Sequence, residues 1–209
     1  TMGISLGGKF FQRLRHALGH PASDTPKTLD CKPFVTMLIK PTTKADIEPI
    51  TDIYRHHVLH GTGSFETVPP DAAEMERRWQ AVTAQHMPHL VLRDGKQVLG
   101  YAYAQPFRPR QAYRHTLEDS IYLHPDAAGR GWGKALLAEL MAQAERAGGR
   151  QMVAVIGDSS NLASIRLHAA LGFKHAGQLR ASGWKHGRWL DTVFMQRGLG
   201  FGDDAPAPP

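Results

Sequence analysis

Cysteine and long apolar runs are the features that this sequence most clearly lacks. Its single cysteine, Cys31, excludes an internal disulfide framework, and no C-x-x-C pair or Cys/His zinc pattern occurs. No stretch approaches the roughly 18 consecutive apolar residues that a membrane-spanning helix needs. No apolar segment near the start is long enough for a secretory signal. These absences predict a protein of the reducing cytoplasm that does not contact a membrane.

Two further absences concern metal and nucleic acid. The sequence has 12 histidines, but His56, His57 and His60 end a polar helix pattern without an Asp or Glu at ligand spacing. The net charge is +6, of which residues 1–40 carry +4, so the remainder of the chain is nearly neutral. Nucleic-acid binding needs a basic patch on a folded face. The sequence therefore predicts no metal and no nucleic-acid partner.

What is present divides the chain into three parts. Residues 1–36 are a basic extension with one short amphipathic stretch at 9–18, followed by a connector rich in Pro, Asp and Thr. That stretch is typical of a helix docking on a membrane surface or partner, but Met37 would make a natural start for the domain, which favours a simple upstream extension. Residues 37–199 form the domain, and residues 200–209 are predicted to be a disordered tail.

Within the domain, strand and helix patterns alternate. Thr43 and Asp46 form a capping box before apolar residues at helical spacing, and Asp94 to Gln97 make a turn between two strands. Strands are expected at 38–39, 89–93, 98–104, 115–123, 152–156, 173–181 and 188–197, and helices at about 47–58, 71–85, 134–147 and 161–171. This order predicts an α/β fold, with a mixed sheet and helices on both faces.

The most informative segment is a glycine-rich loop between a strand and a helix. Gly129, Gly131 and Gly133 follow the strand that ends at Leu123. Glycines let backbone N–H groups converge on an anion, and the helix dipole adds positive potential there. The Walker pattern fails because Ala135 follows Lys134, and the spacing also fails G-x-G-x-x-G. The loop therefore predicts a diphosphate cradle, with a ligand-free glycine turn as the alternative.

This loop resembles the coenzyme-A loop of the GNAT superfamily of N-acetyltransferases, Q/R-x-x-G-x-G/A, with Ala128 in place of the first Gln or Arg. Other segments resemble its phosphinothricin and methionine-sulfone acetyltransferase branch: 102–107, 113–123, 153–156, 161–173, 185–189 and 194–196. The resemblance implies a mixed, mostly antiparallel central sheet with helices on both faces. It also implies acetyl-CoA as co-substrate, a small-molecule amine as acceptor, no metal, and a homodimer.

The resemblance also implies the coenzyme-binding residues. Backbone groups of the strand would pair with the pantetheine arm, and the loop would hold the diphosphate. Asn161 suits a contact with the arm and equally suits a plain helix N-cap. The residues concerned are Ile121, Tyr122, Leu123, Ala128, Gly129, Arg130, Gly131, Trp132, Gly133, Lys134 and Asn161.

Acetyl transfer to an amine requires a base and a way to stabilise the departing thiolate. Glu118 is the predicted general base: it precedes Ser120 on the coenzyme strand, can point into the cleft there, and matches the catalytic glutamate of the resembling branch. Asp119, on the opposite face of the strand, is its rival. His168 is either a proton donor to the leaving sulfur or a satisfied core histidine.

Substrate contacts are expected from four residues. Arg108, with Arg110 beside it, follows a strand into a loop near the cleft and suits an amino-acid carboxylate. Phe65, Phe107 and Tyr113 would wall the pocket. Exposed arginines and core aromatics are the alternative interpretations of these residues.

Three other functions stay open at this point. The same chemistry would serve protein N-termini as acceptors, and Ala128 raises the possibility of a coenzyme-A-binding module without catalysis. Nucleic-acid binding by the basic extension is the weakest alternative. The aromatic segment from Trp184 to Trp189 and the last strands would support a two-fold dimer.

Overall fold

A computed structural model describes residues 37–206, in which seven strands form one sheet. The strand order is β1-β2-β3-β4-β5-β7-β6, and every neighbouring pair is antiparallel except β4 and β5. The strands are β1 Met37–Pro41, β2 His89–Asp94, β3 Gln97–Pro106, β4 Thr116–Leu123, β5 Gln151–Gly157, β6 Lys174–Lys185 and β7 Arg188–Gly198. The predicted mixed, mostly antiparallel sheet is confirmed.

Four helices connect the strands, and the helix-capping interactions expected at Asp71 and at Thr43–Asp46 are present. They are α1 Ile47–His60, α2 Ala72–Ala84, α3 Trp132–Arg146 and α4 Leu162–Ala169. Asp71 caps α2, because its carboxylate accepts a hydrogen bond from the backbone N–H of Glu74 at 2.8 Å. The Thr43–Asp46 capping box is present and opens a short 3-10 turn that leads into α1.

The helices cover both faces of the sheet. On one face α3 buries Leu136, Leu137 and Leu140 against strand residues such as Leu117 and Met152. On the other face α1 and α2 cover a second cluster, which includes Ile50, Ile53, Tyr54, Met75, Val91 and Tyr101. Successive side chains of a strand point to opposite faces, so β2, β3 and β4 contribute to both clusters.

The parallel pair β4 and β5 is joined along only part of its length. Residues 116–119 of β4 pair with residues 151–154 of β5, and the pairing stops at Asp119 and Ala154. Beyond this point Ser120–Leu123 and Val155–Gly157 belong to the two strands but do not pair with each other. The sheet therefore opens into a cleft beyond Asp119.

Helix α4 and strand β6 are among the elements whose extents differ from the sequence prediction. Helix α4 ends at Ala169 rather than at Leu171, and Gly172, with φ +85°, completes the turn into β6. Strand β6 continues to Lys185 instead of stopping near residue 181. Its pairing with β7 is irregular between Leu179 and Gly183, and Ala181 has a φ of +48°. This irregularity hides the continuation of the strand from any alternating pattern.

The structure describes only part of the predicted C-terminal tail and none of the predicted N-terminal extension. The amphipathic stretch 9–18, and the whole predicted extension 1–36, lie outside the described residues. Of the predicted tail, residues 200–206 are described and form turns, and the Arg150 guanidinium donates to the carbonyl oxygens of Ala205 and Pro206. Among residues 37–206, none of the helices combines the length and apolar character required to cross a membrane.

Candidate active site

A cavity of about 630 Å³ fills the cleft between the open ends of β4 and β5. One end lies at the glycine loop and the N-terminus of α3. The cavity wall also includes Asp119 and Ala154, where the strands separate, and residues of α4. The loop after α1, at Gly61 to Gly63, forms another wall. The cavity thus links an anion-binding loop with the point where strand pairing ends.

The glycine loop has the backbone geometry of an anion cradle. Gly129 and Gly131 have φ values of +74° and +77°, which favour glycine, and a Cβ atom on either would meet nothing within 4 Å. Gly131 is the N-cap of α3 and supplies no capping side chain. The first N–H groups of the helix are therefore available to an anion such as a diphosphate. The residues present fit that group.

Most of the predicted coenzyme residues come together here. Nine of them line the cavity: Ile121, Tyr122, Leu123, Ala128, Gly129, Gly131, Gly133, Lys134 and Asn161. Arg130 and Trp132 do not, because the Arg130 guanidinium stacks on the Trp132 ring at 4.9 Å and the ring packs against the core. Both remain beside the loop but direct their side chains to each other.

Asn161 caps α4, as one of the two expectations required, and its contact with the coenzyme arm stays a prediction. Its Oδ1 accepts a hydrogen bond from the backbone N–H of Ser164 at 3.2 Å, so it caps α4. It also lines the cavity. The Oδ1 atom of Asn161 is thus used by the helix cap. The Nδ2 group of the same side chain lies 3.5 Å from the carbonyl oxygen of Gly157.

His57, which the sequence analysis considered only as a metal ligand, lines the cavity. Its Nε2 lies 2.8 Å from the carbonyl oxygen of Leu123 and donates to it in the corresponding neutral tautomer. Burial lowers the pKa of His57, and nearby His56 and Lys185 lower it further against the effect of the Leu123 bond. The contact joins residues that are 66 positions apart in the sequence, so no local sequence pattern predicts it.

Glu118 and Asp119 are adjacent in β4, but their side chains lie on opposite faces of the sheet. Glu118 is half-buried and does not line the cavity, so it does not point into the cleft where we expected it. It lies opposite Gln105 of β3, on the α1 and α2 side of the sheet together with Ser120. Burial raises the pKa of Glu118, Arg108 opposes this, and the charge of Asp119 adds to it.

Asp119 is on the cavity wall and forms a buried pair with His168. Nε2 of His168 is 3.0 Å from Oδ2 of Asp119, and the two side chains are 2% and 1% exposed. Nδ1 of His168 is 2.8 Å from the carbonyl oxygen of Ser164. Burial opposes the charged imidazolium, but the hydrogen bond and charge of Asp119 outweigh it, so the pKa of His168 is raised.

Three of the four predicted substrate residues form one cluster. The Arg108 guanidinium lies 4.2 Å from the Phe107 ring, and the Phe107 and Tyr113 rings meet edge to face with centroids 6.0 Å apart. Phe65 packs elsewhere: a Cβ at Gly183 or Gly157 would come within 2.4 or 3.0 Å of its ring. The structure therefore places Phe65 against β5 and β6 rather than within the Phe107 cluster.

A partly buried polar network behind α1 was also missed in the sequence analysis. The Tyr54 hydroxyl contacts Ser64 at 2.8 Å and donates to Glu66 at 3.0 Å, and Arg78 donates to the same Glu66 oxygen at 2.6 Å. The buried ammonium of Lys185 donates to the Ser64 carbonyl at 2.7 Å. Burial raises the pKa of Tyr54 to about 12. The network fixes the loop between α1 and α2 that walls the cavity.

A second cavity of about 320 Å³ lies on the α1 and α2 side of the sheet. Tyr101, Tyr103 and Gln105 of β3 form its floor, and Met75 and Arg78 of α2 line it. Gln105 is the cross-strand neighbour of Glu118. Within the described range 37–206, no group of three or more His, Cys, Asp or Glu residues is placed to hold a metal ion.

Comparison with known proteins gives a consistent result. The family model described as the acetyltransferase (GNAT) family matches residues 50–173. The chain is 56% identical over 159 residues to a phosphinothricin N-acetyltransferase of Alcaligenes faecalis, covering 76% of this chain and 80% of that protein. It is 40% identical over 172 residues to the L-methionine sulfoximine/L-methionine sulfone acetyltransferase of Salmonella typhimurium, covering 82% and 98%.

A solved structure shares the fold as well. It is the phosphinothricin acetyltransferase of Sinorhizobium meliloti in complex with acetyl-CoA. The TM-score is 0.80 at 48% sequence identity, and the alignment covers 83% of this chain and 94% of that one.

Proposed function

The chain belongs to the GNAT family of acetyltransferases, and on that premise we propose that it acetylates the α-amine of a small amino acid of the phosphinothricin or methionine sulfone and sulfoximine type. The enzyme is an acyltransferase whose co-substrate is acetyl-CoA. The relatives with these substrates are 56% and 40% identical over most of the chain, which supports the same acceptor class.

One observation carries the proposal: the cleft beyond Asp119 begins where β4 and β5 separate and ends at a glycine cradle on the N-terminus of α3. This loop suits the diphosphate of acetyl-CoA, and the backbone of Ile121, which has no partner in β5, suits its pantetheine arm. When bound there, acetyl-CoA supplies an activated acetyl group near the point of strand separation.

Glu118 is the proposed general base for the acceptor amine. It stands one residue before Asp119, the last residue of β4 that pairs with β5, and on the opposite face of the strand. Burial raises the pKa of its carboxyl group, which makes the carboxylate a stronger base toward an ammonium proton. A backbone N–H in the part of β4 that does not pair with β5 is then available to polarise the thioester carbonyl.

The acceptor's own groups have partners on the same face. Arg108 interacts electrostatically with Glu118 and, being exposed, suits the carboxylate of an amino acid. Phe107 and Tyr113, which pack beside it, would wall the acceptor. The 320 Å³ cavity next to Gln105 has a volume that suits the side chain of a small molecule. Together these features favour an amino acid over a folded protein as acceptor.

We also propose a homodimer and a cytoplasmic location. Strand β6 is at the edge of the sheet, and Trp184 and Trp189 are 58% and 62% exposed at the tip of the β6–β7 hairpin, with Leu179 also exposed. Exposed aromatic pairs on a strand edge are typical of association surfaces. The location rests on the single cysteine, which needs no oxidising compartment.

The substrate proposal is tested by measuring release of free thiol from acetyl-CoA with a panel of acceptors. We expect turnover with phosphinothricin, methionine sulfone and methionine sulfoximine, and little with peptides that begin with alanine or serine. A preference for the peptides would instead assign protein N-termini. Tight acetyl-CoA binding with no turnover across a broad amine panel would favour the non-catalytic module.

The base is tested with Glu118→Gln. We expect turnover at neutral pH to fall by about 10²- to 10⁴-fold, because a positioned base contributes that much, while acetyl-CoA affinity measured by calorimetry stays unchanged. Glu48→Gln, an exposed carboxylate in the first turn of α1, is the matched control. Unchanged turnover in Glu118→Gln would remove this residue from the mechanism.

A further inference from the structure

A buried histidine borders the second cavity, on the α1 and α2 side of the sheet. His89 opens β2, is 6% exposed, and lines this cavity of about 320 Å³. Its ring lies nearly parallel to the rings of Tyr103 and Tyr101, with centroids 5.3 and 5.8 Å away. These contacts hold the imidazole in one orientation, and a fixed orientation is what a side chain needs in order to direct a hydrogen bond.

One nitrogen of His89 is engaged and the other is not. Nδ1 lies 2.8 Å from the hydroxyl oxygen of Thr42, which does not line the cavity. Nε2 has no hydrogen-bond partner among residues 37–206. In that range the side-chain N and O atoms that are both inaccessible and unpartnered belong to Trp79, Asp119 and Arg150, so Nε2 of His89 keeps accessible surface. The unpartnered nitrogen is therefore on the part of the ring that borders the cavity.

The environment of the ring decides which nitrogen carries the proton. Burial lowers the pKa of His89 to about 4, although the charge of Asp46 acts in the opposite direction, so the imidazole is neutral near pH 7 and has one N–H. Thr42 is buried, and His89 is the partner of its hydroxyl among the described residues. A buried hydroxyl proton requires an acceptor, and Nδ1 is one only when it is unprotonated. The ring proton is then on Nε2, which makes this atom a donor.

We propose that His89 is a specificity-determining residue of the acceptor site, whose Nε2–H donates a hydrogen bond to an oxygen on the sulfur or phosphorus atom of the acceptor's side chain. For the position of the acceptor amine beside Glu118, this assignment rests on the proposed function. It gives the second cavity to the tip of the acceptor's side chain and leaves the acceptor's carboxylate to Arg108.

The register of the sheet puts this cavity within reach of an acceptor at Glu118. Gln105, which lines the cavity, lies directly across from Glu118, and His89 lies across from Tyr103 on the next strand. The side chains of His89, Tyr103 and Gln105 share one face of the sheet, because positions that pair directly or alternate along a strand do so. Strands β2 and β4 are two strand spacings apart, roughly 10 Å. The side chains of Glu118 and His89 and an acceptor of the length of methionine sulfone together span this distance.

The charges at the cavity favour an oxygen over a cation or a bare hydrocarbon. Arg78, a cation that lines the cavity, already donates to Glu74 and Glu66. The donor that remains at His89 is uncharged, and a buried donor pairs with an acceptor atom. The oxygens of a sulfone, sulfoximine or phosphinate are such atoms, whereas a thioether is only a weak acceptor. An ammonium group in this position would oppose donor to donor.

The test compares kcat/KM for methionine sulfone and for methionine, which lacks the oxygens on sulfur, in the wild type and in His89→Phe. Phenylalanine keeps a flat ring beside Tyr103 but has no N–H. We expect His89→Phe to lower kcat/KM for methionine sulfone about tenfold, the loss typical of one hydrogen bond, while kcat/KM for methionine does not fall. The KM for acetyl-CoA is expected to stay unchanged, and His89→Gln, whose amide restores a donor, to recover part of the loss.

His175→Phe is the matched control, because it makes the same change at an exposed histidine of β6 that lines neither cavity. An unchanged kcat/KM for methionine sulfone in His89→Phe would overturn the proposal. Equal losses for methionine sulfone and methionine would do so too, since they would reflect a general structural effect. A wild type that acetylates no amino acid would overturn the proposed function, and the role of His89 with it.

A measurement on the unaltered protein keeps the proposal testable should His89→Phe fail to fold. In protein labelled with ¹⁵N at histidine, the pKa of about 4 identifies His89 by nuclear magnetic resonance as a histidine that stays neutral at about pH 5.5. We expect methionine sulfone, added with coenzyme A, to shift its Nε2 resonance, and norleucine, which has a methylene group in place of sulfur, to leave it unchanged. No shift at saturating methionine sulfone, or equal shifts with both amino acids, would overturn the proposal.

Discussion

The two carboxylates of the site belong to adjacent residues of one strand, yet they lie on opposite faces of the sheet. Glu118 and Asp119 point to opposite faces of β4 because side chains alternate along a strand. Glu118 is half-buried near Arg108, whereas Asp119 is fully buried and paired with His168. The same functional group, a carboxylate, is thus a proposed base on one face and the partner of a buried histidine on the other.

The His168–Asp119 pair makes the free energy of unfolding depend on pH through the protonation of a single residue, His168. The folded-state pKa of His168 is raised above 6.5, so the folded protein binds this proton more tightly than the unfolded chain. The pair's pH-linked stabilisation is therefore fully present below about pH 6.5 and is lost as pH rises through the folded-state pKa.

We expect His168→Gln to lower the free energy of unfolding by roughly 3 kcal/mol near pH 6, because it leaves Asp119 buried without its partner, and by less near pH 9. Urea denaturation at the two pH values measures this difference. His175→Gln, which changes an exposed histidine of β6, should show no such trend. A destabilisation equal at both pH values would mean that the charge of His168 does not change between them.

At the scale of elements, the loop after α1 packs so closely against the ends of β5 and β6 that two glycines of these strands have no room for a side chain. A Cβ at Gly157 would lie 2.1 Å from the carbonyl oxygen of Thr62, and one at Gly183 would lie 2.4 Å from the Phe65 ring. Lys185 and the Tyr54 network fasten the same loop. Because Thr62 and Gly157 line the coenzyme cavity, this packing sets the width of the cleft.

Gly157→Ala should therefore push the loop away from β5. We expect a loss of roughly 1–3 kcal/mol in the free energy of unfolding, typical of an overpacked site, together with weaker acetyl-CoA binding by calorimetry. Gly177→Ala is the matched control, since Gly177 lies on β6 and its Cβ would meet nothing within 4 Å. Similar behaviour of the two variants would argue against tight packing at Gly157.

At the scale of the whole molecule, the sheet ends in an edge strand that carries apolar side chains. The rings of Trp184 and Trp189 meet edge to face at 5.3 Å and remain largely exposed. Edge strands with exposed apolar residues are normally covered or protected. A second copy of the chain is the partner that we propose for this edge.

Light scattering coupled to size exclusion is expected to give the mass of a dimer for the wild type and of a monomer for the double variant Trp184→Ser/Trp189→Ser, because buried aromatic anchors dominate association energies. Phe201→Ser, at another exposed aromatic residue, should leave the dimer intact. A monomeric wild type at micromolar concentration, or a dimer that survives the double variant, would exclude this interface.

The sequence by itself determined the order of elements and the position of the coenzyme loop. Strand alternation, helix periodicity and the Thr43 and Asp71 caps are local, so the element order and the α/β class followed from short segments. Gly129 and Gly131 were identified for the same reason, since a turn with positive φ depends on adjacent residues. Family resemblance then supplied the coenzyme and the acceptor class.

Only the tertiary structure decided which side chains share the cleft. His57 meets the carbonyl of Leu123, Lys185 meets Ser64, and Asp119 meets His168 across separations of 66, 121 and 49 residues. Contacts of this kind depend on how elements pack, and no local pattern specifies them. The end of the β4–β5 pairing at Asp119 likewise follows from where two distant strands diverge, which placed Asp119 rather than Glu118 on the cavity wall.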